Sequence, residues 1–182
     1  VRNQYEAVRA MDPADQDVIV YLDLDGDQLA HRDVLKHLTR YYADDTLVTY
    51  GSYEPRPPEE NFVCPVSPYP PDVVRNNTYR HNTRVAGTRY NHLRTVKWNV
   101  LKQIPQSYFM FSPEEWIFSP TDLIVMMGAL ELAGGRYKCI RETLVHYNAQ
   151  QPHPDNMRNP DRNVRGAEYT LSLPPLERLD HV

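Results

Sequence analysis

Three aspartates on alternate positions, Asp23, Asp25 and Asp27, follow directly on the apolar run Val18 to Leu22. Carboxylates packed this closely repel one another unless a cation or a proton donor holds them. A divalent ion is the simplest partner, because carboxylate oxygens are hard ligands suited to Mg²⁺ or Mn²⁺. Gly26 lets the backbone turn closely beneath a bound group. The alternative is a solvated turn that ends the strand. A second stretch able to do chemistry runs from Val73 to Lys102. It contains no acid, while Arg75, Arg80, Arg84, Arg89, Arg94, Lys97 and Lys102 are cationic and His81 and His92 accompany them. Forked arginine hydrogen bonds suit such a stretch to phosphate or another anion; otherwise it is a basic surface that balances the acidic remainder. Asp122 stands apart, in Ser119-Pro120-Thr121-Asp122, where Ser as N-cap, Pro at the first position and an acid three residues on form a helix start.

The elements that must position these residues are legible in outline. The apolar run reads as a strand buried on both faces, as in parallel sheets, and its acids stand at the end where open α/β sheets bind ligands. Residues 2–11 form a short helix with Tyr5, Val8 and Met11 on one face, stopped by Asp12-Pro13. Residues 31–42 carry Val34, Leu35, Leu38, Tyr41 and Tyr42 at helical spacing, and residues 46–51 have strand composition. Strand, helix and strand make a βαβ-like unit with the acidic loop at its ligand-binding end. Seven prolines between Glu54 and Asp72 predict an irregular loop, kept packed by its aromatic residues. Residues 92–104 predict a helix, with Leu93, Val96, Val100 and Ile104 as its stripe, ending at Pro105. Residues 123–132 predict a buried helix ended by Gly134-Gly135. Two short strands, 137–140 and 143–147, follow, joined at Arg141-Glu142. Beyond Asn148 no periodicity is evident, and a tail that wraps the domain or frays is expected.

The totals set bounds. A chain of 182 residues suits one domain, here 1–155, with a tail over 156–182. A net charge of −4 argues against a surface that coats nucleic acid throughout. Cys64 and Cys139 are too few for a disulfide framework and predict a reducing, cytoplasmic setting. No apolar run approaches the roughly twenty residues of a membrane span, and no signal-peptide pattern opens the chain. The acceptor pattern Asn76-Asn77-Thr78 is set aside on the cysteine argument.

In order, these pieces resemble the later two-thirds of a GT-A fold glycosyltransferase of the inverting, family 2-like group. The matching segments are Arg2-Asn3, Leu22 to Asp27, His92-Leu93-Arg94-Thr95, and Asp122 through Glu131 to Gly135 and on to His146-Tyr147-Asn148. The resemblance covers roughly residues 1 to 155, and the family's first strand and loop, which hold the nucleotide base, have no counterpart before Arg2. It implies an α/β fold with a mixed sheet flanked by helices. It implies Mn²⁺ or Mg²⁺ on Asp23 and Asp25, Asp25 being the direct ligand, bridging to the diphosphate of a nucleotide-sugar donor, with Arg2 and Arg94 on the donor side. Asp122 becomes the general base that deprotonates the acceptor hydroxyl. A late histidine completes the metal shell, His153 first, with His146 or Asp155 as substitutes, and Asp27 stands as a further acid of the metal loop. The acceptor is a glycan or another hydroxyl-bearing molecule, an anionic one if the basic stretch binds it, hydroxylated DNA bases included.

Two rivals share parts of the pattern. A haloacid-dehalogenase-like phosphatase would use Asp23 as nucleophile and Asp25 as acid/base, but that family has Thr where Asp27 stands and opens its domain with the motif strand. A sugar- or nucleic-acid-binding module would rest on residues 75–102 and leave the acids without chemistry. A calcium loop of the EF-hand type fails on spacing, since its glycine belongs at loop position six and Gly26 is at position four.

Overall fold

β-branched and aromatic residues dominate two long segments, which pair in parallel at the centre of the sheet. A computed structural model describes residues 1–23, 26–58, 66–82, 90–150 and 159–180. Its strands are β1 (Val18–Tyr21), β2 (Gln28–Leu29), β3 (Val48–Arg56), β4 (Arg94–Lys97), β5 (Met110–Ser112), β6 (Glu115–Trp116) and β7 (Tyr137–Asn148). Its helices are α1 (Arg2–Ala10), α2 (Val34–Leu38), α3 (Pro71–Asn76), α4 (Tyr79–Asn82), α5 (Trp98–Leu101), α6 (Thr121–Ala133) and α7 (Pro160–Ser172). The main sheet runs β1-β4-β3-β7-β2, with β3 and β7 parallel and the other pairs antiparallel. The fold is therefore α/β with a mixed sheet flanked by helices. β5 and β6 form a separate ribbon.

Alternation along the strands divides the core. Val48, Tyr50 and Val96 join the larger cluster with α6, while Leu93, Ile140, Leu144 and Val145 join Val34 and Leu38 of α2 on the opposite face. α6 is apolar nearly all round and is buried from Leu123 to Ala133. Gly134 ends it in the left-handed conformation, φ 59°, where a glycine carries no Cβ penalty.

Several expectations need correction. β1 is paired with β4 alone and stands at the rim of the sheet, half-buried throughout. Its apolar run has a physical cause all the same: Ile19 and Tyr21 pack on the larger cluster, Val20 and Leu22 on the smaller. β1 and β3 run parallel, as the βαβ reading requires, but antiparallel β4 lies between them. Residues 92–104 are not one helix. Arg94 to Lys97 enter the sheet and a short α5 follows, although Leu93, Val96, Val100 and Ile104 are all core. A buried run of this length fits either period, and pairing on both edges by β1 and β3 decided it. β7 is continuous: Arg141 and Glu142 make no turn but fall out of register opposite Gly51 and Ser52, as a bulge. β3 extends to Arg56, inside the stretch expected as loop, and Pro71 starts α3.

The tail wraps, in an unexpected form. α7 packs so closely that a Cβ on Gly166 would lie 1.8 Å from the carbonyl oxygen of Ser119. Glu131, fully buried in α6, accepts two bonds from Arg80 at 2.5 and 2.8 Å and one from the Leu176 backbone N–H at 3.0 Å. No helix among the described residues is long and apolar enough to cross a membrane.

Candidate functional site

The β1–β4 register sets Arg94 opposite Tyr21, two residues before Asp23. From there the buried Arg94 side chain reaches two acids. Its Nη1 donates to Oδ2 of Asp122 at 2.7 Å, and its Nη2 donates to Oδ2 of Asp23 at 3.3 Å. Both carboxylates remain well exposed, 44% at Asp23 and 37% at Asp122. Asp122 therefore does not serve as a capping acid. α6 begins at Thr121 with Pro120 as N-cap and no side-chain cap bond, and Ser119 Oγ instead accepts from Asn163 Nδ2 at 2.9 Å. Oδ1 of Asp122 takes no bond from any described residue.

Asp27 lies below this bridge with its side chain fully buried. Its Oδ1 accepts the backbone N–H of Asn148 at 2.9 Å, which ties the acidic loop to the end of β7. Gly26 makes the approach feasible. Its φ is 112°, a conformation that favours glycine, and a Cβ there would lie 2.6 Å from Nδ2 of the Asn148 side chain. His92, just before β4, directs Nδ1 at Asp27 Oδ2 across 3.6 Å. Tyr53 and Tyr147 wall its ring, with centroids 5.5 and 5.7 Å away. Burial pushes the His92 pKa down to about 4, Arg94 acting in the same direction and Asp122 against it. The imidazole is thus neutral near pH 7, the form that offers a nitrogen lone pair to a metal.

Asp23, Asp27 and His92 each present a ligand atom within 4.8 Å of the other two. Ligands on opposite sides of an ion bonded at about 2.1 Å are about 4.2 Å apart, so small side-chain rotations suffice to close the shell. Two carboxylates with one imidazole suit Mn²⁺ better than Mg²⁺, which prefers oxygen alone.

No family model, curated protein or solved structure matches this chain.

Of the expected site residues, Asp23, Arg94, Asp122 and Asp27 are brought together. Asp25, His153 and Asp155 lie outside the described residues. Arg2 is engaged elsewhere, with Glu6 at 2.8 Å and over the Trp116 ring at 6.0 Å. His146 pairs with neither aspartate; it lies 3.8 Å from Glu54 and 3.2 Å from Arg56, across the β3–β7 ladder. His92 is the residue sequence reasoning missed as a ligand. No spacing pattern links it to Asp27, and only the order of strands brings them together.

The basic stretch does not form one anion surface among the described residues. Arg80 is buried against Glu131, Arg94 bridges Asp23 and Asp122, Lys102 pairs with Asp15, and Lys97 bonds Gln16. Of these described cations, Arg80, Arg94 and Lys102 are met by acids from distant parts of the chain. Arg84 and Arg89 lie outside the described residues.

Proposed function

We propose that the chain is a metal-dependent glycosyltransferase, moving a sugar from a nucleotide-diphosphate donor to an acceptor hydroxyl with inversion. The observation that carries this reading is the Arg94 bridge between Asp23, beyond the end of β1, and Asp122, in the first turn of α6. These three residues belong to separate segments of the family resemblance, and they meet at one exposed rim.

Each residue has work to do in that reaction. Asp23, Asp27 and His92 would hold Mn²⁺, with Asp25 as the further ligand that the resemblance implies. When bound, the ion neutralises the charge that develops on the departing diphosphate. Arg94 clamps Oδ2 of Asp122, a part-exposed carboxylate, and leaves Oδ1 without a bond from any described residue. Oδ1 takes the proton of the acceptor hydroxyl as that oxygen attacks the anomeric carbon and the bond to the diphosphate breaks. The same guanidinium fixes the base relative to the metal loop, which is how orientation lowers the barrier. Tyr53 and Tyr147 shield the His92–Asp27 contact from water and strengthen its electrostatics.

Asp122→Asn tests the assignment of the base. The variant keeps donor binding, since the amide oxygen still accepts from Arg94. Its sugar-transfer rate in a coupled assay for nucleoside diphosphate release falls by about 10²- to 10⁴-fold. Transfer at the wild-type rate would remove Asp122 from the chemistry.

A further inference from the structure

A groove of about 630 Å³ opens at the opposite end of β7 from the acid centre, within the size range of small-molecule sites. Tyr137 to Cys139 line it, whereas Asn148 marks the acid centre. The strand between them spans on the order of 30 Å at about 3.3 Å per residue. The two sites are therefore separate.

The floor of the groove is aromatic and rigid. Tyr137 stacks on Tyr50 with centroids 5.6 Å apart, its hydroxyl accepts the Tyr69 backbone N–H at 2.8 Å, and Tyr69 meets its ring at 86°. Tyr41 adds a further aromatic wall. The rim is cationic. Arg75 and Arg141 are exposed, and neither has an acidic partner among the described residues. Lys138, also on the rim, is already paired with Asp44 at 2.5 Å, so the two guanidinium groups hold the unspent charge. Arg141 belongs to the bulge of β7, and bulges re-aim side chains at the sites they border. Its neighbour Glu142 pairs with His37 at 2.5 Å and accepts from the Tyr41 hydroxyl at 3.4 Å. Arg75 is the described cation of the acid-free stretch that is left over once the buried and paired ones are counted.

We propose that this groove binds a nucleoside phosphate, with the base against the tyrosines and the phosphate between Arg75 and Arg141. Tyrosine rings stack any base, and guanidinium groups grip phosphate oxygens in pairs. The site needs no metal, which distinguishes it from the acid centre.

Isothermal titration of uridine 5′-monophosphate into the protein in EDTA is the test. Binding is expected, with uridine, ribose 5-phosphate and inorganic phosphate each at least tenfold weaker. The double variant R75A/R141A, altered only in exposed side chains, loses at least tenfold in affinity, while Asp23→Asn leaves it unchanged. No binding at millimolar nucleotide overturns the proposal. So does wild-type affinity in the double variant, equal binding of ribose 5-phosphate, or loss of binding in Asp23→Asn, which would move the nucleotide to the acid centre.

Discussion

His92 shows how one residue changes the reading of a site. It sits in a stretch dominated by cations, yet in the fold it is neutral, enclosed by Tyr53 and Tyr147, and directed at Asp27. Keeping it neutral has a stability consequence. Its folded pKa is about 4 against an ordinary value of 6.5, so between these values the unfolded chain binds a proton that the folded chain does not. Stability therefore falls as pH drops from 6.5 toward 4, by up to about 3 kcal/mol from this residue. In EDTA, urea unfolding of His92→Gln should follow a flatter pH course than wild type across that window, and parallel courses would contradict the burial argument. Asp27 gains a role for the same reason: the third acid of the loop closes onto the end of β7. Asp23, Asp27 and Asp122 could be singled out from sequence because they flank strongly apolar segments, the run from Val18 and the helix from Leu123. His92 was not, since its partnership depends on the order of strands.

At the scale of elements, apolar content was easier to read than period. Leu93, Val96, Val100 and Ile104 were recognisable as core, but their spacing fits a helix, whereas Val96 lies in β4, Val100 in α5, and Leu93 and Ile104 outside both. Arg141-Glu142 read as a turn between strands because two charges interrupt an apolar run; the bulge accommodates them without ending β7. α7 was missed because Asn, Arg and Glu dilute its apolar face, and its closest contact is made by a glycine. That glycine is testable. Gly166→Ala would force a methyl group onto the Ser119 carbonyl, and overpacking against backbone costs about 1 to 3 kcal/mol or more. Chemical denaturation should show this loss despite the higher helix propensity of alanine. A stabilised variant would mean that α7 does not dock as described.

At the scale of the whole molecule, charge balance explains why the described residues of the acid-free stretch do not form one basic surface. Arg80 and Glu131 join α4 to α6, and Glu131 also receives the backbone of Leu176 beyond α7. Arg80→Leu leaves that carboxylate buried without its cation, and breaking such a pair costs about 3 to 5 kcal/mol. Thermal unfolding of R80L against the double variant R80L/E131L would measure it, with the double variant recovering part of the loss; equal stability of R80L and wild type would refute the role. Packing of this kind holds α6 in place, and with α6 the carboxylate of Asp122 beside Arg94. The part-exposed carboxylates of Asp122 and Asp23 around Arg94, with the buried Asp27 and His92 beside them, are the basis of the proposed sugar transfer.

Manganese binding tests that account most directly, because the free ion's electron paramagnetic resonance signal disappears as it binds. Wild-type protein should take up one Mn²⁺ per chain, more tightly when a nucleoside diphosphate is present. Asp23→Asn and Asp27→Asn should each weaken uptake at least tenfold, about 1.4 kcal/mol or more, and abolish the nucleotide effect. Equal uptake by all three proteins, with no response to the diphosphate, would contradict the metal centre and the transferase reading built on it.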